Sequence, residues 1–196
     1  YDKSEIENKI EKSKNETNSQ VEKYAPSTVR ELTKEEEEQI KQGELSVEEA
    51  ADRIYKAPPN VDKAAPGNDS QQGKNSEADP AKQAEIVGRQ VAKLYAYKAY
   101  YSGELDKILK GAVAEYNALP NEKKTEAEKK NILMEKMGQA AGLEEQCDTK
   151  VASILDELKK ELSAIGGNLE IINVLSSAYE NEKSLQKAYY LSLLKK

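Results

Sequence analysis

The 196-residue chain contains no histidine, no phenylalanine and no tryptophan, and it has one cysteine. Without histidine it lacks the commonest general base, the commonest zinc ligand and the side chain that titrates near neutrality, so most catalytic schemes lose their central residue. An enzyme working through carboxylates alone would need a cleft with paired acids, which an elongated helical protein scarcely provides. The chain is therefore expected not to be an enzyme and to need no cofactor or metal. Cys147 has no second thiol for a disulfide or a metal site. No apolar run approaches the roughly 18 residues that span a bilayer. A basic stripe is missing as well: formal charge is −6, so nucleic acid is not an expected partner. There is no Gly-rich phosphate loop and no internal repeat.

What is present is 37% hydrophobic and 34% charged residues, with 11 tyrosines among the larger side chains. That composition fits a thin helical core rather than a thick globule, because buried tyrosine needs its hydroxyl wet or paired. The organising stretch runs from 122 to 165. Leu133, Met137, Ala140, Glu144, Cys147, Val151, Ile154, Leu158 and Ile165 recur there at the alternating three- and four-residue spacing of a heptad seam. One helix of that span would be roughly 65 Å long and needs neighbours along its length. Cys147, on the seam, is expected to be buried and slow to react.

The neighbours come from both sides. Asp79 caps and Pro80 opens a helix over 81–119, with a seam through Val87, Val91, Leu94, Lys98, Tyr101, Leu105, Ile108, Ala112, Tyr116 and Leu119. Gly166 and Gly167 end the long helix, Asn168 caps again, and Ile171, Leu175, Ala178, Glu182, Leu185 and Tyr189 mark a third helix over 169–195. Short connections make successive helices antiparallel. The expected fold is all-α: an elongated, coiled-coil-like antiparallel three-helix bundle with unequal arms.

Residues 1–56 form an acidic N-terminal arm, with ten basic and fifteen acidic residues against eighteen and seventeen in 80–196. Residues 4–24 have too few apolar positions to bury a helix alone, so a solvated stalk, or a helix that orders only against something else, is expected. Thr33 with Glu36 and Ser46 with Glu49 have capping-box spacing on either side of Gly43, which predicts a short helical hairpin. The acidic run Glu35 to Glu38 opens the first of these helices, where it complements the macrodipole. Residues 57–79, rich in Pro, Gly, Asn and Ser, are expected to be a flexible linker.

With the two bundle turns centred near 120 and 167, Lys98 falls level with Glu144 and Tyr190, which predicts a buried polar layer, and Arg89 falls level with Glu182. The same register ends the third helix at about Gly138 and Gly103. Beyond that level Leu105, Ile108, Leu109, Val113 and Tyr116, with Ile132, Leu133, Met134 and Met137, are more apolar residues than one seam can hide, and they are the candidate partner-binding surface. Leu32, Ile40, Leu45, Ile54 and Tyr55 of the hairpin are expected to dock on this tip or to exchange there with a partner or a second copy.

Two functions follow from different classes. The first is a non-enzymatic binding or scaffold protein making protein contacts or self-associating, with exposed tyrosines also suited to glycan contact. The second is a small-ligand sensor or carrier. A cavity of roughly a few hundred Å³ around Lys98 would favour the carrier, and a solid seam the scaffold. Because the chain begins at Tyr1, something is expected to have been removed, by processing or by the choice of expressed segment. A cleaved signal peptide fits a secreted protein and the dearth of cysteine a bacterial one, so an extracellular or cell-envelope location is expected, with a cytoplasmic location as the alternative.

Overall fold

The computed structural model describes residues 3–58 and 79–194. Six helices make up the described residues: α1 (Lys3–Tyr24), α2 (Lys34–Gln42), α3 (Val47–Ile54), α4 (Pro80–Ala118), α5 (Glu126–Ala164) and α6 (Glu170–Leu194), with one 3-10 turn at Asn121–Lys123. The chain is all-α, as its periodicity predicts. Among the described residues the sole β feature is an isolated bridge between Val29 and Tyr55. Most of the expected linker at 57–79 lies outside the described residues.

Local signals in the sequence are met closely. The Asp79 carboxylate accepts from the Ala81 N–H at 3.0 Å, ahead of Pro80. Both capping boxes form, at Thr33/Glu36 and Ser46/Glu49. Gly43 (φ 78°) and Gly166 (φ 68°) take the left-handed conformation that ends a helix. Asn168 caps α6, accepting from the Glu170 N–H at 2.8 Å.

Register is where the structure departs from expectation. The 3-10 turn and Thr125, which caps α5 through the Glu128 N–H, use up residues that the sequence reading gave to the helix from 122. Opposing positions on α4 and α5 are displaced accordingly. Arg89 pairs with Glu161, not Glu182, and Lys93 pairs with Glu157 at 3.1 Å. Lys98 meets Glu182 of α6 at 2.6 Å instead of Glu144, while Glu144 meets Lys187 at 3.1 Å. On the parallel pair α4 and α6 the offset is constant: Lys98 with Glu182, and Asp106 with Tyr190 at 2.7 Å. Tyr190 thus lies two turns further along than the expected layer.

Helix α1 joins the bundle as a fourth member, antiparallel to α6. Its interface stripe is Ile6, Ser13, Thr17 and Val21, all buried. Two of the four are polar, which is why the stripe is faint in the sequence. Their hydroxyls are satisfied: Ser13 Oγ accepts from Asn181 Nδ2 at 2.9 Å, and Thr17 Oγ1 donates to the Ser13 carbonyl at 2.9 Å. On its other flank Asn18 accepts from the Tyr95 hydroxyl of α4. The packed core lies at the end where α1 finishes and α5 turns into α6. There Leu158, Leu162 and Ile171 are fully buried against Val21, Val87, Val91 and Leu175, each worth about 1.5–3 kcal/mol of transfer.

The hairpin docks, but not on the tip. Ile40, Leu45 and Ile54, flanked by Leu32 and Tyr55, pack on Ala92, Ala96 and Ala99 of α4. Gly88 and Gly103 extend this stripe. At each, a side chain would strike the hairpin: Thr28 Oγ1 would lie 2.4 Å from a Cβ at Gly88, and Lys41 Cγ 2.6 Å from one at Gly103. A row of small residues lets the backbones approach closely. The hairpin's ends are clasped by Arg30 N–H to the Ile54 carbonyl (3.1 Å) and Lys56 N–H to the Thr28 carbonyl (2.7 Å). Arg30 also pairs with Glu36 at 2.7 Å, a pair that holds the Glu36 carboxyl down at about 2.

Candidate functional site

Helices α4 and α5 pack closely, as do α1 and α6, while the two pairs are held apart away from the packed core. The separation follows from side-chain size. Where α5 faces α6 it offers Ala140, Ala141, Glu144 and Cys147, and α6 answers with Ala178, Lys183 and Gln186. The facing alanines leave a gap that Leu143, Tyr179 and Tyr190, which also line it, do not fill, and the chain has no Phe or Trp to do so. The outcome is a groove of about 380 Å³ between α4, α5 and α6, with Thr17 of α1 at its inner end. From Leu94 to Ala112 along α4 it is roughly 27 Å long at 1.5 Å per residue.

Its inner half is polar and aromatic. The Tyr179 hydroxyl donates to Asp148, and Lys183 Nζ donates to the same carboxylate at 2.9 Å while lying 5.1 Å over the Tyr179 ring. Burial, then the bond to Asp148, pushes the Tyr179 hydroxyl up. Burial and Asp106 do the same to Tyr190, and burial with Glu182 to Tyr95. Tyr101 is pushed up by burial to about 12. These phenols all stay protonated at neutral pH, and they act as hydrogen-bond donors and apolar walls rather than as bases. Tyr97 and Tyr101 stack at 6.2 Å.

Cys147, expected in a sealed seam, is half-buried and lines this groove. Burial raises its thiol pKa, partly offset by a hydrogen bond with Tyr179. The outer half of the groove holds the longest apolar run, Leu105, Ile108, Leu109, Met137 and Ala140, alongside Lys136, Glu144, Lys187 and Tyr190.

Lys98, Glu144 and Tyr190 thus belong to one groove, but in three separate partnerships rather than one layer. The expected partner-binding residues divide. Leu105, Ile108, Leu109 and Met137 line the groove; Ile132 is buried in the α4/α5 seam and Tyr116 is half-buried; Val113 and Met134 are exposed, at 55% and 63%. Among the tyrosines of α4, Tyr100 faces outward. Sequence reasoning missed Asp106, which accepts from Tyr190 and pairs with Lys41 of the hairpin at 3.3 Å. It also missed Gln90, fully buried and donating to Glu161 at 2.6 Å. Neither lies on a seam, so periodicity gave no sign of them.

No family model matches the chain, and no curated protein or solved structure matches it either. Among the described residues, no helix is long and apolar enough to cross a membrane, and no three acidic or thiol groups cluster as metal ligands.

Proposed function

We propose that the protein is a non-enzymatic binding protein that holds a small apolar or amphiphilic ligand in the groove between α4, α5 and α6. The observation that carries this reading is the groove itself: about 380 Å³ around Lys98, Glu144 and Tyr190, within the range of about 300–1,000 Å³ usual for small-ligand sites. A solid seam would have favoured a scaffold. The lining suits binding, being mostly apolar with a few placed polar groups. Tyr95, Tyr101, Tyr179 and Tyr190 are held protonated and its lysines are paired, so it offers recognition rather than proton transfer.

The test is titration of the purified chain with an environment-sensitive hydrophobic dye. Wild type should bind about one dye per chain. Ala140→Leu and Ala178→Leu, each adding bulk to a different wall, should weaken binding at least tenfold without lowering the melting temperature. Equal dye binding by both variants would refute the groove as the site. If the protein works in the cell envelope or outside the cell, as its sequence leads us to expect, an envelope extract is the natural source of ligand.

A second reading is favoured by the exposed tip. Val113, Met134 and Met137 leave more than half of their surface open, and methionine adapts to varied partners. That face would serve a protein contact. Val113→Lys with Met134→Lys should abolish such a contact and leave dye binding unchanged.

A further inference from the structure

We infer that the ligand of this groove is a single-chain amphiphile with an uncharged head, its head lying between Lys98, Glu182 and Tyr179 and its chain running outward over Leu105, Ile108 and Met137. This rests on the groove being a binding site. Three observations lead to it.

The first is shape. A volume of about 380 Å³ drawn out over roughly 27 Å of α4 is long and narrow. That shape suits one extended chain.

Second is the run of apolar residues. From Tyr101 outward to Ala112, roughly 17 Å of α4, that helix offers Leu105, Ile108 and Leu109, faced by Met137 and alanines, with Lys136, Glu144, Lys187 and Tyr190 also on the walls. One leaflet's acyl chain spans about 15 Å, half of a bilayer core about 30 Å thick. Charges line both halves, but among the pairs on the lining Lys98 with Glu182 is the least exposed, at 35% and 16%, so the head belongs against it, where a hydrogen bond removed from water counts most, and the chain in the outer half.

Charge balance supplies the third. Every lysine on the lining already has a carboxylate: Lys98 with Glu182 (2.6 Å), Lys183 with Asp148 (2.9 Å), Lys187 with Glu144 (3.1 Å) and Lys136 with Glu115 (3.0 Å). Glu182 and Glu144, the carboxylates on the lining, are matched in the same pairs. An anionic head would find no cation without a carboxylate, and a cationic head no carboxylate without a lysine. Either would be an uncompensated charge in a partly desolvated site. An alcohol, ester or amide head can instead accept from the Lys98 ammonium or donate to Glu182 without disturbing the pair.

Three probes with the same twelve-carbon chain test this on the full-length protein: dodecan-1-ol, dodecanoate and dodecyltrimethylammonium, measured by displacement of the hydrophobic dye at neutral pH. The alcohol should bind at least tenfold more tightly than either ion. Glu182→Gln, which leaves Lys98 without its carboxylate, should shift selectivity toward dodecanoate by about tenfold. Lys98→Met should shift it toward the trimethylammonium chain. Dodecanoate or the cation binding wild type as tightly as the alcohol would overturn the inference, as would unchanged selectivity in both variants. If none of the three displaces the dye, the single-chain amphiphile is ruled out. If, in addition, the dye ignores Ala140→Leu and Ala178→Leu, the groove reading fails with it. Circular dichroism melts of each variant confirm that the comparison is made between folded proteins.

Discussion

Gly88 offers the sharpest test of how the hairpin is held. In mid-helix, Gly→Ala normally stabilises by about 1 kcal/mol, because alanine loses less backbone entropy. At Gly111 and Gly138, where an added Cβ would meet nothing within 4 Å, that gain should appear in full. At Gly88 the same methyl would lie 2.4 Å from Thr28 Oγ1, 2.7 Å from Thr28 Cβ and 3.3 Å from Tyr55 Cε2. Thr28 has no room to retreat. It is fully buried, its hydroxyl donates to the Ala25 carbonyl at 2.8 Å, and its own carbonyl accepts from Lys56 N–H at 2.7 Å. Overpacking of this kind costs about 1–3 kcal/mol. The helix-propensity gain is common to both variants and cancels in their difference, so Gly88→Ala should melt below Gly111→Ala by the overpacking term alone. At about 2–4 °C per kcal/mol for a chain of this size, the two should be separated by about 2–12 °C in melts followed by helical circular dichroism. Coincident melting temperatures would mean that the hairpin does not press on α4 at Gly88.

Three further expectations concern charge and the thiol. In a double-mutant cycle, Lys98→Met with Glu182→Met should show a coupling of about 0.5–3 kcal/mol, whereas Lys98→Met with Glu144→Met should be additive; coupling only in the second cycle would restore the register expected from sequence. The Glu36 carboxyl is held below its ordinary value by Arg30, so its contribution is present above 4.5 and lost as pH falls toward about 2. The urea midpoint of wild type should therefore approach that of Glu36→Gln across this acid range, and a gap that stays constant with pH would refute the linkage. Cys147, half-buried with a raised thiol pKa, should react with a maleimide at neutral pH more slowly than in urea-unfolded protein, and more slowly again with dodecan-1-ol bound; equal native and unfolded rates would remove it from the groove wall.

The sequence by itself determined the helices, because a helix start or stop is a contest among a few neighbouring residues. Asp79 and Pro80, the paired capping boxes, and Gly43 and Gly166 each satisfy or end backbone hydrogen bonds within a turn, and all do so where expected. The seam spacing likewise marked Val87, Val91, Leu158 and Ile171 as core. What tertiary structure alone decided was which helix meets which, and at what height. A 3-10 turn at Asn121–Lys123 delayed α5 to Glu126, and the α4/α5 pairs are displaced with it, Arg89 to Glu161 and Lys93 to Glu157, while Lys98 meets Glu182 of α6 instead of Glu144. The contacts of α1 were hidden because Ser13 and Thr17 are compatible with burial only once Asn181 and their own backbone satisfy them. The hairpin's landing place was written as small residues, Gly88 to Gly103, and small residues read as weak hydrophobicity until a partner backbone is close enough to exploit them. The groove is the plainest case. Ala140, Cys147 and Ala178 read as seam positions, and only the distance between two helix pairs turned them from core into the walls of a groove.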